Sequence, residues 1–307
     1  EDIARYRRAL LEVARGNGKT TEGAAVGIRG VTQSGAPLVI GAATDREAAG
    51  VVFGDAARMV RANPLLLKHL KVIDSTKRIL RRDELAGRYM VISAEAPRAH
   101  GFHPDVVVFD ELHTQPDREL WDVLTTSQIN LPSALMFAIT TAGYDRTSIC
   151  WQVHEQALKA CEDRELAPDL LAAIYAAEDG DDIEDPAAWK KANPNLGVSV
   201  VEANLRAESL RAKRDPAYLN TFMRLHLNVW TEQDIRWMPM REWDACAGMV
   251  DEPALLNHPC FMGLDLAQVN DLTALALLFP ANDRDTGTYD VLMRFYAPES
   301  VLRDRAD

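Results

Sequence analysis

The chain has 307 residues, of which 47% are hydrophobic, and a formal net charge of -12 at pH 7. That length is enough for two domains with ordinary cores, and the absence of a long apolar run predicts that no segment spans a membrane. The four cysteines lie far apart without a C-x-x-C pair, which argues against a zinc site or a disulfide framework. The negative net charge argues against a protein that coats nucleic acid without specificity. It does not exclude a DNA-handling protein with one basic face, because net charge says little about local patches.

Strands and helices alternate along the first part of the chain. Apolar runs predict strands over residues 6–14, 37–44, 88–95, 105–112, 134–143 and 170–178. Amphipathic spacing predicts helices over residues 20–31, 45–63 and 148–163. The run at 105–112 is almost continuously apolar, which is typical of a parallel strand that is buried on both faces. The alternation indicates an α/β fold with a mainly parallel, doubly wound sheet.

The pattern changes twice further along. An acidic loop at 178–186 precedes helical patterns that contain several tryptophans, and three short strand-like runs joined by turns follow Cys260. The last runs are typical of an antiparallel meander. We therefore expect one domain over residues 1–180, a helical subdomain over 181–255 and the beginning of another domain over 256–307.

A candidate phosphate-binding loop joins the first predicted strand to the first predicted helix. It departs from the pattern G-x-x-x-x-G-K-[ST] because Val13 stands where the first glycine belongs. Its glycines allow backbone amides to converge on phosphate oxygens, Lys19 suits the β- and γ-phosphates, and Thr20 suits Mg²⁺. We expect ATP to be bound by Arg15, Gly16, Asn17, Gly18, Lys19 and Thr20.

An acidic pair follows the apolar strand in "DVVVFDELH". Asp110 at the strand end can reach the metal of a bound nucleotide, and Glu111 can polarise the attacking water. The alternative is that the two residues only form the polar end of a buried strand. Two motifs in the right order, each at the carboxyl end of a strand, favour ATP binding and hydrolysis.

Two further segments have a functional and a structural interpretation. Arg15 could stabilise charge on the γ-phosphate as a catalytic residue, or it could be a solvated loop arginine. Thr140, Thr141 and Gly143 lie at a strand end, where they could sense the γ-phosphate through water or simply cap the strand. Three histidines, His100, His103 and His113, also lie near the acidic strand in the sequence. Their spacing matches no metal-ligand pattern, so we expect them to be ordinary loop residues.

With these motifs, the chain resembles the large subunit of tailed-phage terminases over nearly its whole length. That family consists of DNA-packaging ATPase-nucleases. Its phosphate loop commonly lacks the first glycine and contains a basic residue, which is Arg15 in this sequence. The other similar segments are 93–113 (SAEAPRAHGFHPDVVVFDELH), 139–143 (ITTAG, at the place of the family's coupling motif), 185–197 (DPAAWKKANPNLG), 227–246 (LNVWTEQDIRWMPMREWDAC) and 262–278 (MGLDLAQVNDLTALALL).

The resemblance implies a P-loop ATPase domain of the ASCE type over 1–180, a helical linker over 181–255 and the first part of an RNase H-like nuclease over 256–307. It implies a motor that uses ATP and Mg²⁺ to move double-stranded DNA into a procapsid, and an endonuclease that uses Mg²⁺ or Mn²⁺. The implied partners are the portal protein and the small terminase subunit. The active form would be a homo-oligomeric ring in the host cytoplasm, docked transiently on the procapsid and without contact to a membrane.

Two departures from the family pattern concern the ends of the chain. The adenine-contacting segment that usually precedes the first strand is absent, and the later nuclease acids do not appear before Asp307. We therefore expect most of an ATPase and an incomplete nuclease. Asp265 is the better nuclease metal candidate, and Asp271 is a weak one, because a two-metal site needs several carboxylates.

Two other functions compete with this interpretation. "DELH" is similar to a helicase box, which suggests a DNA-dependent helicase-like ATPase, but residues 186–307 offer no second ATPase-like domain with an arginine motif. A non-catalytic nucleotide-binding assembly protein is the third hypothesis. The presence of Lys19, Asp110 and Glu111 argues against it, and a measurement of ATP turnover would decide.

Overall fold

The computed structural model describes residues 6–33, 35–93, 101–231, 240–266, 273–280 and 288–297. The chain divides into two compact units, Glu1–Met238 and Pro239–Asp307. Each unit has its own sheet, eight-stranded in the first and three-stranded in the second. Asp271 and His100 lie outside the described residues.

The sheet of the first unit runs in the order β3-β4-β5-β2-β6-β7-β1-β8. Its strands are β1 (Arg8–Val13), β2 (Leu38–Ala43), β3 (Leu70–Ile73), β4 (Arg78–Arg81), β5 (Arg88–Ser93), β6 (Val106–Asp110), β7 (Leu135–Thr140) and β8 (Leu170–Tyr175). All neighbours from β5 to β8 in this order pair in parallel, and β3 and β4 add an antiparallel edge. The predicted fold class is confirmed.

The helices of the first unit are α1 (Lys19–Val31), α2 (Arg46–Ala62), α3 (Pro64–His69), α4 (Glu119–Ser127), α5 (Ile149–Glu162), α6 (Pro186–Ala192), α7 (Glu202–Arg214) and α8 (Pro216–His226). Helices α1, α2, α4 and α5 cover the two faces of the sheet. One core cluster joins α1 and α2 to the sheet, and another joins α4 and α5 to it. This is the arrangement of a doubly wound sheet, in which both faces of the central strands are buried.

Helix α1 packs closely against the sheet because it carries glycine where it faces the strands. A Cβ atom at Gly27 would lie 2.8 Å from the ring of Tyr89, which is fully buried. The close packing fixes the direction of α1, and therefore of the loop that precedes it.

Helices α6, α7 and α8 form a small core of their own around Trp189 and Phe222, both with 0% exposure. By their contacts these helices belong to the same compact unit as the eight-stranded sheet. The boundary that we expect near residue 180 stays a prediction.

The second unit contains a short helix and a meander. Helix α9 is Met240–Ala245, and the strands are β9 (Phe261–Asp265), β10 (Thr273–Pro280) and β11 (Tyr289–Tyr296). The strands pair antiparallel in the order β11-β10-β9, as the three apolar runs after Cys260 predict. Among the helices described in either unit, none combines the length and the apolar character that a membrane crossing requires.

Candidate active site

The two predicted ATPase motifs lie next to each other in space. Strands β6, β7 and β1 are neighbours in the sheet and run in parallel, so their carboxyl ends meet at one edge. The loop at 15–20 follows β1, and the acidic pair ends β6. Lys19 Nζ lies 3.3 Å from Glu111 Oε1, which places the lysine of one motif against the carboxylate of the other.

The loop at 15–20, called the P-loop below, has the backbone conformation that its glycines allow. Gly16 and Gly18 have φ angles of 84° and 86°, a region that residues with a Cβ enter only at a cost of about 1–2 kcal/mol. Gly18 is the N-cap of α1 and offers no side-chain cap. The first amides of α1 are thus open to an anion, which the helix dipole also favours.

Asp110 is the more deeply buried acid of the pair, with 4% exposure. Burial raises the pKa of Asp110 to about 7, the negative charge of Glu111 acts in the same direction, and the charge of Lys19 opposes both. Its Oδ1 atom is buried and has no hydrogen-bond partner. An unsatisfied buried carboxylate oxygen of this kind fits a divalent cation, and Thr20, which is half-buried, supplies a hydroxyl at the start of α1.

Glu111 differs from Asp110 in both backbone and charge state. Its φ and ψ angles are 49° and 54°, a left-handed conformation that costs a non-glycine residue free energy and is often found at functional sites. Burial acts to raise the pKa of its carboxyl, but the contact with His113 and the charge of Lys19 outweigh burial and lower the pKa to about 2. Glu111 is therefore ionised at neutral pH, as a group that accepts a proton must be.

His113 joins the acidic pair to the end of β7. Its Nδ1 lies 3.2 Å from Glu111 Oε2, 3.1 Å from Thr140 Oγ1 and 3.4 Å from Thr141 Oγ1. Both threonines are fully buried. The sequence suggested only a loop histidine, and the signal that could have found it is its position two residues after Glu111. His103 instead contacts the carbonyl of Ser127.

The first and third residues of the P-loop face the helical segment. Arg15 is exposed, and its backbone N–H donates to the carbonyl of Leu225 at 2.8 Å. Asn17 is 5% exposed, and its side chain bonds to the turn that follows α6, at Asn193 and Asn195. The sequence indicates this turn only as part of a linker, because hydrogen bonds between such distant segments leave no local pattern.

A cluster of buried polar and aromatic side chains surrounds Glu12, on the strand that precedes the P-loop. Glu12 on β1 has 0% exposure and accepts hydrogen bonds from Trp230 Nε1 at 3.0 Å and from His154 Nδ1 at 2.9 Å. The ring of Trp230 stacks edge-on against Trp151, with centroids 4.9 Å apart. Sequence reasoning does not single out Glu12, because a glutamate inside a strand usually faces water.

Trp230 also packs against the segment that follows β7. A Cβ atom at Gly143 would lie 2.8 Å from the ring of Trp230, so glycine is needed for this contact. Next to it, the N–H of Ala142 donates to Asn228 Oδ1 at 2.7 Å, and Asn228 Nδ2 donates to the carbonyl of Tyr175 at 2.8 Å. The segment predicted to sense the γ-phosphate is therefore bonded to the chain that follows α8.

The second unit offers much less around its candidate metal ligand. Asp265 is the last residue of β9 and is exposed. Asp271, the weaker candidate, is not among the described residues, and those residues include no group of three or more His, Cys, Asp or Glu side chains that could hold a metal.

Comparisons with known proteins agree on one family. The family model "Terminase large subunit, ATPase domain" matches residues 2–159, and "Terminase large subunit, endonuclease domain" matches residues 170–289. The large terminase subunit of Enterobacteria phage HK97 is 30% identical over 97% of this chain and 58% of its own length. Protein YmfN of Escherichia coli K12 is 32% identical over 66% of this chain and 45% of its own.

A solved structure extends the similarity to the fold. The crystal structure of the HK97 bacteriophage large terminase superposes with a TM-score of 0.67 at 27% identity, covering 98% of this chain and 61% of that one. The chain thus spans about half the length of the curated relatives that it matches.

Proposed function

We propose that this chain, which belongs to the family of terminase large subunits, hydrolyses ATP with Mg²⁺ where β1 and β6 end and thereby drives double-stranded DNA into a viral procapsid. The observation that carries the proposal is the ion pair between Lys19 Nζ and Glu111 Oε1, 3.3 Å apart, together with the neighbouring Asp110, whose buried Oδ1 has no hydrogen-bond partner. A nucleotide-binding protein without catalysis would not need an ionised glutamate at this place.

Each residue has a distinct role in the proposed reaction. The P-loop amides and Lys19 bind the phosphates, while Thr20 and Asp110 would hold Mg²⁺, which shields the phosphate charge. Glu111 must release Lys19 when the phosphates arrive, and its carboxylate then orients the attacking water and takes its proton. His113 holds the glutamate from the other side, and Arg15 is a second cation near the phosphates.

Strand β7 would report the presence of the γ-phosphate. Thr140 and Thr141 contact His113, and the backbone after them is bonded to Asn228 and packed against Trp230. A change at the phosphate site can therefore pass through Thr140, Thr141 and Gly143 to the segment that follows α8. We propose that this path couples hydrolysis to DNA movement.

The remaining parts of the proposal concern DNA cutting and assembly. The match of the endonuclease family model to residues 170–289 supports a metal-dependent nuclease module in which Asp265 is one ligand to Mg²⁺ or Mn²⁺, while cutting of the packaged DNA needs further carboxylates beside it. We further propose a homo-oligomeric ring that works with the portal protein and the small terminase subunit at the procapsid in the host cytoplasm. Turnover per subunit that rises with protein concentration would support the ring, because an arginine from a neighbour can raise the rate by about 10³–10⁵.

The test of the ATPase proposal compares two lysines. Purified wild-type chain, Lys19→Ala and the control Lys159→Ala, which changes an exposed lysine of α5, are titrated with a fluorescent N-methylanthraniloyl analogue of ATP. Loss of a buried charged partner predicts an increase in Kd of at least about 30-fold for Lys19→Ala only. A wild-type chain that binds no nucleotide, or a Lys19→Ala variant that binds as tightly as wild type, would overturn the proposal.

A further inference from the structure

The turn between α6 and α7, residues 193–200, lies against the P-loop. Asn193 Oδ1 accepts a hydrogen bond from Asn17 Nδ2 at 2.8 Å, and the backbone N–H of Asn195 donates to Asn17 Oδ1 at 3.1 Å. Asn17 and Asn193 are 5% and 2% exposed. Both polar ends of the Asn17 side chain are therefore satisfied within the protein, on the side of the loop away from water.

The same turn binds the main chain of the P-loop. Asn195 Nδ2 donates to the carbonyl oxygen of Asn17 at 2.9 Å, and Ser199 Oγ donates to that of Gly16 at 2.6 Å. In a trans peptide the C=O and the next N–H point in opposite directions. Fixing these two carbonyls towards the turn therefore directs the N–H groups of Asn17 and Gly18 to the other side of the loop, where the proposed function places phosphate oxygens.

The turn is itself anchored in the helical core. Asn193 Nδ2 donates to the carbonyls of Trp189 at 3.0 Å and of His226 at 2.8 Å, and Trp189 is fully buried. The asparagine thus connects the P-loop to α6 and to the end of α8. A loop that contains two glycines at positive φ would otherwise lose much conformational entropy on binding a nucleotide.

We infer that Asn193, Asn195 and Ser199 are positioning residues that hold the P-loop amides in the orientation needed for nucleotide phosphates. They act through Asn17 and the loop carbonyls and do not contact the nucleotide. The inference rests on the proposed function, since it assigns these residues to the ATP site. It also makes nucleotide affinity and the state of helices α6 to α8 mutually dependent, because such a coupling is reciprocal.

The hydrogen bonds from the turn at 193–200 to the P-loop are called the clamp below. The experiment uses the full chain with two clamp variants and one control. Asn195→Ala and Ser199→Ala each remove one side-chain bond to a loop carbonyl from a position that is not fully buried, so both should fold. Asn204→Ala changes an exposed asparagine on α7 and serves as the matched control. Melting temperature, hydrogen exchange of the amides of residues 14–20 without nucleotide, and Kd for the fluorescent ATP analogue are measured for each protein.

The inference predicts faster exchange of the P-loop amides in both clamp variants and an increase in Kd of about 3- to 10-fold, the effect of losing one hydrogen bond. The melting temperature should stay near the wild-type value, and Asn204→Ala should match wild type in all three measurements. Unchanged P-loop exchange in Asn195→Ala and Ser199→Ala would overturn the inference. A wild-type chain that binds no nucleotide would instead overturn the proposed function, and the exchange of the nucleotide-free loop would still decide whether the clamp exists.

Discussion

Asp110 and Asp265 occupy the same position in a strand but lie in different surroundings. Each is the last residue of an apolar strand, in "VVVFD" and "FMGLD". Asp110 is 4% exposed, is close to the charges of Lys19 and Glu111, and has a pKa raised to about 7 by burial. Asp265 is exposed at the end of an edge strand, in a sheet of three.

The difference shows what a strand-end acid needs before it can act. Asp110 lies where three parallel strands end side by side. The segments after β1 and β6 therefore bring the charges of Lys19 and Glu111 close to it, and the threonines at the end of β7 contact His113 in the same site. The antiparallel meander sends the ends of neighbouring strands in opposite directions. Among the residues that the structure describes, Asp265 therefore does not gain the partners that a metal site requires.

The largest expected difference between the two acids is in ATP hydrolysis. Asp110→Asn keeps the side-chain volume but removes the charge that would hold Mg²⁺, so we expect the rate to fall by at least about 100-fold. Asp265→Asn should leave the rate within about twofold of wild type, as for an ordinary surface change. Steady-state phosphate release measures both. Equal rates in the two variants would show that Asp110 has no special role.

A smaller difference, in the free energy of unfolding, is expected between alanine variants of two asparagines that both have a left-handed backbone conformation. Asn228 and Asn257 both have positive φ, 54° and 72°, but Asn228 is buried and makes two side-chain hydrogen bonds, whereas Asn257 is exposed. We expect Asn228→Ala to lower the free energy of unfolding by about 2–4 kcal/mol because it leaves buried backbone groups unpaired. For Asn257→Ala the loss should stay within about 1 kcal/mol.

Calorimetric melting of the two alanine variants measures this difference, with each transition compared to that of the wild-type chain. A larger loss for Asn257→Ala would contradict the claim that Asn228 fixes the segment after β7.

The smallest effect is expected for DNA cutting by this chain. One exposed carboxylate binds Mg²⁺ or Mn²⁺ weakly because the ion keeps most of its waters. We expect plasmid nicking by wild type and by Asp265→Ala to be equally low in either metal, with no difference beyond assay error. Strong nicking that disappears in Asp265→Ala would show that a complete metal site already exists around this residue.

The sequence predicted most of the sheet because each long strand carries its own apolar signal. The six strands predicted before residue 180 all appear, with ends shifted by at most three residues. The antiparallel strands β3 and β4 and the helices α3 and α4 were not predicted. Strands β3 and β4 have only four residues each, which is too few for an alternating pattern to show.

The residues of the candidate site, like the strands, could be predicted where the signal is local in the sequence and not where it depends on distant segments. Lys19, Asp110 and Glu111 could be identified because the phosphate loop and the acidic strand end are local patterns. The remaining partners, such as Glu12 and Asn193, could not, because a burial or a hydrogen bond between residues more than a hundred positions apart exists only in the folded chain. The described residues do not test the prediction for Asp271.

The central claim, that Glu111 is the base of an ATPase, is tested most directly by separating binding from hydrolysis. Glu111→Gln is compared with Glu119→Gln, which changes an exposed glutamate of α4; the fluorescent ATP analogue reports binding and phosphate release reports turnover. For Glu111→Gln we predict that hydrolysis falls by about 10²–10⁴-fold while binding is equal or tighter, because Lys19 no longer has to leave an ion pair. Hydrolysis at the wild-type rate in Glu111→Gln would contradict the account.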